Sequence, residues 1–224
     1  VTSKLARISP SVVANGCMIY DYENSKILFQ KFIPKADNAF AKFVLDSGIS
    51  VGIEVHSGER VFTLKRNAES DAHQRYENLE TTVVSFDEIC NLEWNKVLFA
   101  LEDEKDYQVL REMVLKFKNG SNFIATAAVL EGRKRNYYEQ IPIGVSKASA
   151  VRELCRILNI KDGCSYAIGD YYNDVEMLEN ADICSVPVAS PNDIKAIADY
   201  VSCECKDGAV ANFIDYLTEI QKKI

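Results

Sequence analysis

The chain has 224 residues, of which 47% are hydrophobic and 26% charged, a balance suited to one large globular domain or two small ones. Lys plus Arg number 26 against 33 Asp plus Glu, and the resulting formal charge of −7 argues against a general nucleic-acid binder. No apolar run is long enough to span a membrane and no secretory leader pattern is visible, so a cytoplasmic protein without membrane or nucleic-acid partners is expected.

The 7 cysteines are odd in number and scattered, which suggests reduced thiols rather than a disulfide framework. Cys203-x-Cys205 has no second Cys or His pair at zinc spacing. His56 and His73 stand apart from the cysteines and read as surface or half-buried residues.

From Cys17 the sequence "CMIYDYENSKILFQKF" reads as two strands around the turn Glu23-Asn24-Ser25. "ADNAFAKFVLDSGI" predicts a helix stopped by Gly48, and "SVGIEVHSGERVFTL" a hairpin turning at Ser57-Gly58. Residues 65 to 93 are polar and poorly periodic, and they predict no element. "KVLFALE" reads as a strand. "KDYQVLREMVLKFKNG" reads as a helix with Leu110, Val114 and Phe117 inward and Gly120 as its stop. "SNFIATAAVLE" and "RNYYEQI" are two more strands around Gly132-Arg133-Lys134. Hairpins mixed with helices imply an α+β module with a mostly antiparallel sheet.

The last third alternates strand and helix. Ser146 predicts an N-cap, followed by Val151, Leu154, Cys155 and Leu158 on one helical face and a stop at Asp162-Gly163. "CSYAIGD" is a short strand ending at Asp170, and "DVEMLENA" a helix. "ADICSVPV" is a second strand. Ser190-Pro191 opens a helix carrying Ile194, Ile197, Ala198 and Val201. "DYVSC" is a third strand, and Asp207-Gly208 starts a last helix with Val210, Ile214 and Leu217 inward. This order predicts a parallel sheet with helices on its faces, and hence an inserted module on a parallel-sheet core.

In such sheets ligands bind beyond the carboxyl ends of the strands. "AIGDYYNDVEML" places Asp170 at such an end and Asp174 in the first turn of the next helix. Two hard carboxylates there suit Mg²⁺, although one Asp alone could simply cap the helix, and spacing leaves both readings open. Lys147 follows the Ser146 cap, where a cation opposes the helix dipole. It is either a solvated lysine or one aimed at a phosphate oxygen or at crowded carboxylates.

Together, "IPIGVSKASAVREL", "YAIGDYYNDVEMLENADICSVPVASPNDIKAIADYV", "CKDGAVANFI" and the N-terminal "VVANGCMIYD" resemble haloacid dehalogenase superfamily phosphatases of the Cof-like type, subfamily IIB. The resemblance implies an α/β fold: a Rossmann-like core, a parallel sheet with helices on both faces, carrying an inserted α+β cap domain. Residues 1–17 would be a remnant of the N-terminal core, 18–140 the α/β cap domain and 141–224 the C-terminal half of the core. It further implies Mg²⁺-dependent hydrolysis of small phosphorylated metabolites, often sugar phosphates. Lys147 would be catalytic and touch the phosphoryl group, Asp170 and Asp174 would hold the metal, and Asn173 would help hold the phosphate.

The departures matter as much. The family's nucleophile is the first Asp of an N-terminal DxD motif, and no such motif closes an N-terminal strand here. Asp103 and Asp106 precede a helix of the inserted module. Thr2 or Ser3 could be the family's phosphate-binding hydroxyl, but too few residues separate them from Asn15-Gly16 for the usual helix and strand. Val188 stands where the family often has an asparagine turn. The expectation is a phosphatase whose nucleophile lies outside these residues, so that the chain alone is inactive, with a non-catalytic binding or regulatory relative as the alternative. Arg133-Lys134-Arg135 reads as a solvated turn in preference to a contact for an anionic substrate, and of Tyr171 and Tyr172 either one packs against the cap or the leaving group, or one lies inward and one on the surface.

Overall fold

A computed structural model describes residues 10–117, 120–130, 132–160 and 165–222. The chain divides into two compact units, Val1–Val145 and Ser146–Ile224. The last strand of the first unit runs on to Pro142.

The first unit opens with a small antiparallel sheet of β1 (Ser11–Val13), β2 (Met18–Asp21) and β3 (Lys26–Gln30). β1 pairs with β2, Val13 opposite Met18. The main sheet contains β4 (Val51–Ser57), β5 (Arg60–Lys65), β6 (Thr81–Val83), β7 (Lys96–Leu101), β8 (Ser121–Leu130) and β9 (Arg133–Pro142), in the order β6-β5-β4-β7-β9-β8. Alternation along β4 sends Val51, Ile53 and Val55 to one face, where they join Phe40 and Val44 of α1 (Ala39–Asp46) and Leu110 and Met113 of α4 (Glu104–Lys116) in the main core.

The opposite face of β4 presents Gly52 and Glu54 to α2 (Ala68–Glu77), which lies in the stretch that predicted no element. This helix is docked by polar groups. Asn67 caps it, accepting the Ser70 N–H at 2.8 Å while the Ser70 Oγ accepts the Asn67 N–H at 3.0 Å. Fully buried Glu54 accepts a hydrogen bond from Gln74 Nε2 at 3.0 Å and lies 2.9 Å from His73 Nδ1. Buried Glu69 pairs with Arg135. The same unpredicted stretch also holds β6, parallel to β5, and a one-turn helix α3 (Phe86–Ile89) capped by the Ser85–Glu88 pair.

The second unit is a parallel sheet in the order β10-β11-β12, formed by Tyr166–Ile168, Ile183–Pro187 and Tyr200–Ser202. Its helices are α5 (Lys147–Ile157), α6 (Val175–Glu179), α7 (Asn192–Lys195) and α8 (Ala209–Gln221). Ala167, Cys184 and Val186 face α6 and α7 through Leu178 and Ile194. Ser185 and Tyr200 pair in register and point the other way, where Tyr200 stacks on Phe213 and Tyr216 of α8. Helices therefore cover both faces, the expected α/β class.

Three details of the sequence reading are corrected. α8 turns Ala209 and Phe213 inward, whereas Val210 and Ile214 are 57% and 55% exposed. The period was right and the phase was off by one residue, because the Tyr200 ring fixes which stripe packs. Val201 belongs to β12 rather than to the preceding helix, which ends at Lys195. Leu158 is exposed at the end of α5. The expected stop at Asp162-Gly163 lies outside the described residues.

Candidate metal and phosphate site

β10 ends at Ile168, and Gly169 donates its N–H to the Ser185 carbonyl of β11 at 3.2 Å, so the chain leaves the sheet in a fixed direction. Asp170 then stands exposed beyond the strand end. A short 3-10 turn over Tyr172–Asp174, closed by the Asp174 N–H to the Tyr171 carbonyl at 2.9 Å, brings Asp174 back against the strand. Asp174 does not cap α6 with its side chain. It is buried, 4% exposed, and its Oδ2 accepts the Asp170 N–H at 3.2 Å. Its Oδ1 accepts from the Lys147 ammonium.

Lys147 reaches Asp174 because α5 begins where it does. Ser146 accepts the Ser149 N–H at 3.0 Å and the Ser149 Oγ accepts the Ser146 N–H at 2.9 Å, a reciprocal cap that fixes Lys147 as the first helical residue. Lys147, Asp170 and Asp174 line one cleft of about 470 Å³, walled by Ile168, Met177, Pro187, Ala209 and Val210 and edged by Cys205. The apolar walls lower the local dielectric and strengthen attraction between the charged groups.

Asn173 lies half-buried in the same turn but is not among the residues lining the cleft. Tyr171 is half-buried and Tyr172 exposed. Tyr172 Oη meets Asp193 Oδ1 at 3.4 Å, which pushes the phenol above its ordinary range. Thr2 and Ser3 lie outside the described residues. In the first unit the basic cluster is only partly the solvated turn expected: Arg133 starts β9 and pairs with Glu69 at 3.4 Å, and Arg135 is buried against the same carboxylate. Sequence reasoning missed Gly169 as a contact of Asp174, and Met177, Ala209 and Val210 as cleft walls. A glycine directly before a strand-end Asp was the available signal.

The donor set suits a magnesium ion in part. Two hard carboxylates line one cleft at a strand end, and Mg²⁺ commonly takes one or two carboxylates together with water and phosphate oxygens. Among the described residues no three His, Cys, Asp or Glu side chains converge as a fully protein-built metal cage would need, so the remaining ligands would be solvent, substrate or residues outside this group.

A family model for haloacid dehalogenase-like hydrolases matches residues 1–214. The chain belongs to this family. Among curated relatives, M6_Spy0533 of Streptococcus pyogenes serotype M6, whose name marks it provisionally as a phosphatase, is 24% identical over 213 residues, covering 91% of this chain and 73% of that protein. Among solved structures, the subclass IIB sugar phosphatase BT4131 superposes with a TM-score of 0.74 at 18% identity, covering 94% of this chain and 76% of that one. A haloacid dehalogenase-like hydrolase from B. subtilis gives a TM-score of 0.74 at 20% identity, covering 93% and 79%. These structural likenesses establish the fold, a Rossmann-like core with a cap domain.

Proposed function

We propose that this hydrolase is a Mg²⁺-dependent phosphatase of small phosphate monoesters, sugar phosphates or similar metabolites, working in the cytoplasm. The observation that carries the proposal is the convergence of Asp170, buried Asp174 and Lys147 in one cleft at the carboxyl end of β10. A bound magnesium ion would supply charge neutralisation for the phosphoryl oxygens. Asp170 and Asp174 would hold it. Lys147 would add a second positive charge and hold the Asp174 carboxylate in orientation. Asn173, and Thr2 or Ser3, would contact the phosphate. Residues 18–140 would form the cap that selects the substrate, and 141–224 the half of the core that carries these groups.

The nucleophile would be an aspartate outside the 224 residues. Its carboxylate would attack phosphorus and expel the alcohol, and water would then hydrolyse the aspartyl-phosphate. The 224-residue chain alone would therefore turn over no phosphate monoester. The alternative reading is a non-catalytic binding or regulatory relative. A phosphate-ester panel assayed with Mg²⁺ on the full-length gene product, with Asp170→Asn as control, separates the two. Turnover lost in the variant supports the phosphatase. Absence of turnover across the panel, with the metal still bound, supports the binding protein.

A further inference from the structure

The backbone just before Asp170 leaves no room for a side chain. A Cβ placed on Gly169 would stand 2.5 Å from Asp174 Cβ, 2.8 Å from its Cγ and 2.9 Å from its Oδ2. Gly169 is not among the glycines with positive φ, so its conformation is one that any residue adopts. Space alone requires glycine here. Gly52 shows the same device used for packing, where the Asn67 and Ser70 side chains of the α2 cap approach its missing Cβ to within 2.6 Å.

We propose that Gly169 is a positioning residue for Asp174. The missing Cβ lets the Asp174 carboxylate fold back across the strand end. There Oδ2 takes the Asp170 N–H and Oδ1 takes the Lys147 ammonium, so the two carboxylates and the lysine are set as one group. Any side chain at 169 displaces Asp174 from that position, and the buried carboxylate cannot compensate by lengthening. The role rests on the metal reading of Asp170 and Asp174, and its test has a part that does not.

The test uses the 224-residue chain with Mn²⁺ as the probe, read by water-proton relaxation, together with amide exchange. Gly169→Ala is expected to weaken Mn²⁺ binding by about 10- to 100-fold, the usual effect of disturbing a group that orients a metal ligand. In the same variant the Asp170 amide, which hydrogen-bonds Asp174 Oδ2, is expected to exchange faster. The Gly169 amide, bonded to the Ser185 carbonyl, is expected to keep its protection and report an intact sheet. Gly169→Ala should also lower the melting temperature, and in an Asp174→Gly background, which deletes the obstructing atoms, it should lower it no further. Unchanged Asp170 exchange in Gly169→Ala, or an equal melting penalty with glycine at 174, overturns the proposal. If Asp170→Asn and Asp174→Asn both bind Mn²⁺ like the native chain, the metal reading fails, and the exchange and melting results still decide the positioning role.

Discussion

Replacing Lys147 by Met removes a charge while keeping most of the side-chain volume. Asp174 is then left with one backbone donor, the Asp170 N–H at 3.2 Å, on a side chain that is 6% exposed. Removing one partner of a fully buried pair costs about 3–5 kcal/mol. The Lys147 side chain is 32% exposed, so water enters where the ammonium was, and a cost of about 2 kcal/mol is expected. For a chain of this size that corresponds to a melting temperature about 4–8 °C lower. The only tryptophan, Trp94, is fully buried in the first unit, so the second unit is best followed by tyrosine fluorescence and circular dichroism. In an Asp174→Asn background the same substitution should cost less than about 0.5 kcal/mol. A full penalty that persists with Asn at 174 would refute the view that Lys147 acts through Asp174.

Other expectations concern the first unit. Gly52→Ala forces apart the Asn67 and Ser70 side chains that cap α2, and should cost about 1–3 kcal/mol in urea unfolding monitored by Trp94. Glu69→Gln weakens the charge-assisted contact between α2 and buried Arg135 and should cost about 1–3 kcal/mol, with amide exchange in α2 rising before that in α4. His56 is held well below its usual 6.5 by burial first, then by the Lys96 and His73 charges. Its folded form stays neutral while the unfolded chain takes up a proton below about pH 6.5, so this stability is present above that pH and lost on acidification, at up to about 1.4 kcal/mol per pH unit. His56→Gln should remove that part of the acid slope, and an identical slope in the variant would show that the ring does not titrate on unfolding.

Much of the second unit was legible because its signals are local. Ser146 and Ser149 form the reciprocal cap that places Lys147, and Asp170 follows a strand whose apolar run ends at Ile168. The stretch from 65 to 93 was opaque for a physical reason. α2 buries Glu69, Ser70 and Gln74 rather than an apolar stripe, so its partners on β4 and β9, far away in sequence, are what make it a helix on a sheet. The phase of α8 depended likewise on the Tyr200 ring, which periodicity alone does not reveal. At the site, the residue types were readable from the motif. The fold-back of Asp174 onto Gly169 was not, because it depends on an approach of a few ångströms between backbone and side chain.

The central claim, that Asp170 and Asp174 form the metal-holding half of a phosphoryl-transfer site, is tested most directly by Mn²⁺ titration of the 224-residue chain, which requires no knowledge of the substrate. The expected result is one ion per chain, displaced by Mg²⁺, with binding lost in both Asp170→Asn and Asp174→Asn while the fold persists. Mn²⁺ binding of unchanged affinity in both variants would contradict it.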